Sequence, residues 1–278
     1  MVDRLLISKI ISGQVDPNIQ KQNGETSLHN LAEMGGPLDL VKRLIDLGAN
    51  PNIREYDRGD TPLIYATRNI YPEMIRALLE GGADINRPND NERTPLHVAR
   101  TTKIILKLLE LDADPNVKND YGNTPLHVQV LCPYGNLNNV KALLEGGADP
   151  NIKNYGGKTP LLSFVESAMN AAVEDYRLAP CVKLLIEWGA IPTLVDDDGN
   201  APIHHHVVQE AWNKFIGARL GLVDSLIKKL PPEIIDLILS HVYGDRERER
   251  EQRERARRDR ARERELEQRE RKRVRHGE

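Results

Sequence analysis

Cysteine is nearly absent from this chain of 278 residues: Cys132 and Cys181 are the only two, with no CxxC or other ligand spacing. That count suggests neither a disulfide framework nor a zinc site, and a reducing compartment is the expected setting. Aromatics make up only 4% and charged residues 29%, lean for one large globular core and normal for a long, thin one. No apolar run approaches the roughly 18 residues that cross a bilayer. "LLISKII" near the start is too short for a secretory signal, so a soluble, cytoplasmic chain with no membrane partner is predicted. Chemical motifs are missing as well. There is no GxSxG, no Cys/His nucleophile signature and no glycine-rich phosphate loop, so the sequence predicts no enzyme: no catalytic residue, no cofactor and no metal site.

The formal net charge of −3 conceals a division. Residues 245–278 hold 15 Lys plus Arg against 11 Asp plus Glu, which leaves 24 against 31 in residues 1–244. A mildly acidic body therefore carries a mildly basic tail.

What the chain has in abundance is self-similarity. "ETSLHNLA", "DTPLIYA", "RTPLHVA", "NTPLHVQ", "KTPLLS" and "NAPIHHH" recur with Thr26, Thr61, Thr94, Thr124, Thr159 and Ala201 in equivalent places, 30 to 42 residues apart. A second motif keeps step in "LGANPN", "GGADIN", "LDADPN", "GGADPN" and "WGAIPT". Even "IISGQVDPNI" aligns with "LLEGGADPNI", so the chain opens on half a repeat. Residues 3–230 thus resemble ankyrin repeats. The resemblance implies an all-α solenoid of antiparallel helix pairs, with a loop or β-hairpin finger between repeats.

The residue types support that reading independently. Thr is a good N-cap, and Pro62, Pro95, Pro125 and Pro160 take the first helical position, where a missing N–H costs nothing. Val140, Leu143 and Leu144 share one helical face, and Gly146 or Gly147 then supplies a left-handed terminus. Gly24, Gly59, Gly122, Gly157 and Gly199, two positions before the Thr, suit the tight turn into each repeat.

Departures carry information too. Repeat three has Glu92 at the turn-glycine position and Asp112 at the helix-ending one, which predicts a tight or imperfect stack. Repeat five holds an extra stretch, predicting a longer first helix. Repeat six loses its Thr cap and reads as a terminal capping unit. Its His204–His206 run cannot face one ion from one helix, because adjacent helical residues diverge by about 100°. His204 instead aligns with His29, His97 and His127, which are expected to brace helix starts.

Partner contacts are expected on the fingers and the concave inner-helix face, whose side chains support no core. Arg54, Tyr56, Arg58, Arg87, Lys118, Tyr121, Lys153 and Tyr155 are the candidate target-binding residues, since Tyr and Arg are enriched in interface hot spots. The alternative is that the tyrosines merely pack against neighbouring fingers. Cationic fingers on an acidic body make an acidic or phosphorylated protein patch the expected target.

The repeats stop near Lys229. In "LPPEIIDLIL", Leu230, Pro231, Glu233, Ile234, Ile238 and Leu239 resemble the opening of an F-box. Ankyrin repeats followed by a truncated F-box-like segment are the layout of PRANC-type proteins of large DNA viruses and intracellular bacteria. The resemblance implies docking of those six residues onto the S-phase-kinase-associated adaptor of a cullin-RING (SCF) ubiquitin ligase. It also implies a host-directed effector, acting in host cytoplasm or nucleus. By its own chemistry, Pro231 and Pro232 start a helix whose stripe of Leu230, Ile234, Leu237, Ile238 and Val242 must be covered, by a partner or by the chain itself. A complete F-box needs two more apolar helices, which the residues after Tyr243 do not supply.

The expected organisation is a half or capping repeat over 1–22, about five repeats over 23–200, a terminal capping repeat over 201–229 and an F-box-like helix over 230–244. An Arg/Glu-rich tail over 245–278 follows, disordered or an isolated helix. Interspersed acids weaken the tail's field, so nucleic acid is not an expected partner.

Overall fold

A computed structural model describes residues 4–131, 136–171, 175–220 and a few positions between 252 and 263. Cys132, the F-box-like stretch and most of the tail lie outside the described residues. The chain divides into two compact units, residues 1–120 and 121–278. Every regular element among the described residues is helical, so the fingers are loops rather than hairpins.

The first unit contains α1 (Arg4–Ile11), α2 (Ser27–Met34), α3 (Leu38–Asp46), α4 (Pro62–Arg68), α5 (Pro72–Glu80), α6 (Pro95–Val98) and α7 (Thr102–Glu110). Inner helices α2, α4 and α6 stack on one another, as do outer helices α1, α3 and α5, while α2–α3, α4–α5 and α6–α7 pair antiparallel. Leu44, Leu63, Ile75, Leu78 and Leu108 between the layers are fully buried, each contributing about 1.5–3 kcal/mol of transfer free energy. The second unit contains α8 (Pro125–Leu131), α9 (Leu137–Glu145), α10 (Pro160–Asn170), α11 (Asp175–Glu187), a single 3₁₀ turn (Pro202–His204) and α12 (His206–Leu220). Here α8 packs on α10, α9 on α11 and α11 on α12. The inserted stretch of repeat five lengthens α10 to 11 residues, against 7 in α4.

The repeats that keep the threonine start on it, but by two chemistries. At Thr61 and Thr159 the hydroxyl accepts from the backbone N–H of Ile64 and Leu162, both at 3.3 Å. At Thr26 a histidine joins the cap: the Thr26 N–H donates to His29 Nδ1 at 3.1 Å, and the hydroxyl lies 2.9 Å from the same nitrogen. His29 Nε2 lies 3.0 Å from the Asp60 carbonyl of the next repeat. A carbonyl can only accept, so Nε2 carries the proton and the ring is neutral. Burial, chiefly, lowers its pKa below the usual histidine value. His127 repeats the arrangement with Thr124 and the Lys158 carbonyl. His204 does not: Ala201 offers no hydroxyl, the helix shrinks to the 3₁₀ turn, and His204 is exposed. The expected bracing role fails there because the cap it would brace is gone.

Outer helices all end alike. Ala49, Ala83, Ala113, Ala148 and Ala190 N–H groups donate back to Leu44, Leu78, Leu108, Leu143 and Leu185 carbonyls at 2.9 Å. The residue before each alanine is left-handed: Gly48, Gly82, Asp112, Gly147 and Gly189. Gly147, not Gly146, is thus the terminator of α9, a Schellman closure that satisfies the orphan carbonyls. Asn52 then joins repeats. Its side-chain N–H donates to the Gly82 carbonyl at 2.9 Å, and its oxygen accepts from Asp84 N–H at 2.7 Å. Asn18 and Asn151 bridge in the same manner.

Among the described residues three that are not glycine have positive φ: Ile70 at 64°, Glu92 at 52° and Asp112 at 68°. The last two are the departures of repeat three, whose α6 has only four residues. Ile70 ends α4 where Gly35 ends α2, and a left-handed β-branched residue is strained by about 1–2 kcal/mol. Ile70→Gly should therefore raise the unfolding free energy by about 1 kcal/mol after the entropic cost of glycine. Glu92→Gly should give less, since Glu is unbranched at Cβ. Urea midpoints of the two variants check both.

Candidate functional site

The loop before α4 is built around a buried carboxylate. Glu55 accepts from the backbone N–H groups of Asp57 at 2.6 Å, Arg58 at 2.8 Å and Asp60 at 3.0 Å. Burial pushes its pKa up, but those three donors outweigh burial and hold the carboxyl below its ordinary value. With three turn amides tied to one carboxylate, the finger has a fixed shape. Fingers then join in sequence: Tyr56 N–H donates to the Asn23 carbonyl at 2.9 Å, Asp90 N–H to Arg58 at 2.9 Å, and Asp120 N–H to Asn91 at 3.3 Å. In the second unit Tyr155 N–H donates to Tyr121 at 3.2 Å.

The tyrosines sit where this ladder meets the turn glycines. A Cβ on Gly24 would lie 2.6 Å from the Tyr56 nitrogen and 2.7 Å from its Cγ. A Cβ on Gly122 would lie 2.5 Å from the Tyr155 nitrogen. One edge of the Tyr56 ring and one of the Tyr155 ring is thereby held over a bare glycine, yet these two and Tyr121 remain 64–68% exposed. Tyr56 and Tyr155 are thus pinned aromatic side chains with an outward face.

Arg58, Arg87, Lys118 and Lys153 are also exposed. Arg54 is different. Its guanidinium contacts the Asp90 carboxylate of the next finger, and its Nε donates to the Gly59 carbonyl at 3.2 Å. Asp57 and Asp90 are exposed in the same fingers, so the loops of the first unit carry mixed charge rather than the cationic surface expected. Arg54, Tyr56 and Arg58 share one finger, and Tyr121 and Tyr155 occupy successive fingers of the second unit.

The inner-helix face adds residues that motif reading passed over. In the first unit Tyr65 donates to Glu25 at 3.1 Å, and Arg68 pairs with Asp60 at 2.7 Å. In the second, Lys158 pairs with Glu166 at 2.5 Å, beside a cavity of about 440 Å³ that also involves Leu131, Ser163, Ser167 and Asn170. The signal was available: polar residues stand one before the threonine and four or seven after it, which places them together on the uncovered side of the helix.

The side chains offer little for bond-making. Burial pushes the Cys181 thiol up to about 12, which leaves negligible thiolate at neutral pH. His205 and His206 stack with centroids 4.7 Å apart instead of converging. Among the described residues no group of three His, Cys, Asp or Glu could hold a metal, and no helix is long and apolar enough to cross a membrane.

A family model for ankyrin repeats matches residues 1–89 and 83–154. The crystal structure of the ankyrin repeat domain of Bcl-3, from the IkappaB protein family, superposes with a TM-score of 0.63 at 26% identity, covering 75% of this chain and 90% of that one. The glycerophosphocholine phosphodiesterase gde1 of Schizosaccharomyces pombe is 28% identical over 95 residues, and the E3 ubiquitin-protein ligase KEG of Arabidopsis thaliana 33% over 97. Each match covers 34% of this chain but only 8% and 6% of those relatives.

Proposed function

The chain belongs to the ankyrin-repeat family, a protein-interaction fold, and from that premise we propose that it is a non-enzymatic adaptor working in the cytoplasm. Its fingers and inner-helix faces hold a target protein, and Leu230, Pro231, Glu233, Ile234, Ile238 and Leu239 recruit the adaptor subunit of a cullin-RING (SCF) ubiquitin ligase. The observation that carries target binding is the pinned, exposed tyrosine. A ring whose backbone is hydrogen-bonded to the neighbouring finger loses little conformational entropy on contact, which suits it as an anchor. Support for ligase recruitment is the match of "LPPEIIDLIL" to the start of an F-box, on an array that would select the substrate. As a PRANC-type protein the chain would be a host-directed effector, acting in host cytoplasm or nucleus.

Two experiments test the two halves. Tyr121→Ser/Tyr155→Ser should abolish capture of proteins held by the wild type while leaving the unfolding midpoint nearly unchanged; retention of every captured protein removes the finger assignment. Leu230→Ala/Pro231→Ala should abolish pull-down of the purified ligase adaptor. Equal recovery with both forms defeats the recruitment half.

A further inference from the structure

The second unit holds an apolar groove. Between α11 and α12 lies a cavity of about 770 Å³ whose floor includes Ile186, Trp188, Val207, Ala211 and Phe215. Trp188 and Phe215 are half-buried there, and Ile186 is 1% exposed. Its rim is charged on both sides: Lys183 pairs with Glu187 at 3.7 Å along α11, and Lys214 with Glu210 at 2.6 Å along α12. All four rim side chains are about half exposed or more, so they can re-pair at little cost. α9 is covered by α11, while among the described residues no further helix pair packs on α11 and α12.

The chain itself carries a segment that fits. α12 is described as far as Leu220, 15 residues that span about 22 Å. The ten residues 221–230 reach up to about 35 Å when extended, enough to run back along the whole of α12. Residues 231–243, read as a helix, would span about 20 Å, close to the roughly 17 Å of α12 from Val207 to Ala218 that lines the groove. That stretch presents Ile234, Leu237, Ile238 and Val242 on one side and carries Glu233 and Asp236, preceded by Lys228 and Lys229. Acidic and basic residues thus meet a rim that offers two lysines and two glutamates. We propose that the α11–α12 groove is the docking site of the chain's own residues 230–243, with Ile234 and Ile238 against Trp188 and Phe215. Docking stands on the groove alone. Its consequence rests on the proposed function: a docked segment hides the residues that would recruit the ligase, so the two contacts compete.

Trp188 reports on the groove directly, because the chain has two tryptophans and the other, Trp212, can be replaced by phenylalanine. In full-length Trp212→Phe protein, Trp188 emission should resist acrylamide. Adding Ile234→Asp/Ile238→Asp, or Ala211→Glu in the groove, should raise quenching several-fold and shift emission to the red. Unchanged quenching with Ile234→Asp/Ile238→Asp overturns the proposal, and so does shielding that vanishes on dilution, which would mark a second copy as the occupant. Hydrogen exchange on the chain with both tryptophans provides a separate measurement. Amides 234–242 should be protected and lose that protection in Ala211→Glu; identical exchange in both overturns the docking. The ligase reading separates cleanly. Ala211→Glu should increase capture of the purified adaptor several-fold, and if no variant captures it while Trp188 still responds, recruitment fails and docking stands.

Discussion

Gly24→Ala should lower the unfolding free energy by about 3 kcal/mol, whereas Gly82→Ala should cost only about 1 kcal/mol. Both glycines are left-handed, at φ 82° and 92°, so both substitutions carry the same backbone penalty. They differ in what the new methyl meets. Nothing lies within 4 Å of a Cβ on Gly82, while a Cβ on Gly24 runs into the Tyr56 backbone nitrogen, which is itself held by the Asn23 carbonyl. The methyl must separate two fingers or break that hydrogen bond. Urea denaturation of the two variants isolates the contact as their difference. Equal losses would show that the fingers are not packed as described.

His29→Ala should cost about 3 kcal/mol, combining a cavity at a fully buried site with the loss of the partner for the Thr26 N–H and one of those for the Asp60 carbonyl. The same residue sets a pH dependence. Burial lowers its folded pKa below 6.5, so on acidification the unfolded chain takes up a proton that the folded chain resists. Stability from this group is complete above about pH 6.5 and is lost as pH falls towards the folded pKa, with a slope of at most about 1.4 kcal/mol per pH unit. His29→Gln should flatten that slope in denaturation curves recorded between pH 7.5 and 5.5. An undiminished slope would assign it to other groups.

Helix starts were legible because capping is local. Thr61 and Ile64, or Thr26 and His29, lie three residues apart, and the hydrogen bonds that define them are fixed once the helix forms. The same locality exposed repeat three, where Glu92 and Asp112 announced left-handed positions without glycine. His204 shows the limit of alignment. It occupies the right place in the motif, yet the hydroxyl that would give it a role stands three positions earlier in the other repeats and is missing here. Ile70 gave no warning, since no motif glycine marks the end of α4.

The candidate site was only half legible. Choosing finger tyrosines and cations by residue type found the exposed ones, but nothing in the sequence shows that Arg54 spends its charge on Asp90, 36 residues away. Nor could periodicity reveal the groove beside Trp188, which depends on how α11 and α12 face each other.

By itself the sequence determined the repeat, its caps, its turns and its all-helical class, because each rests on contacts within a few residues that the motif spells out. Only the tertiary structure decided which polar groups the stack consumes and which it leaves for partners. That division is set by neighbours about 30 to 40 residues distant, whose backbone carbonyls and side chains compete for the same hydrogen bonds and ion pairs.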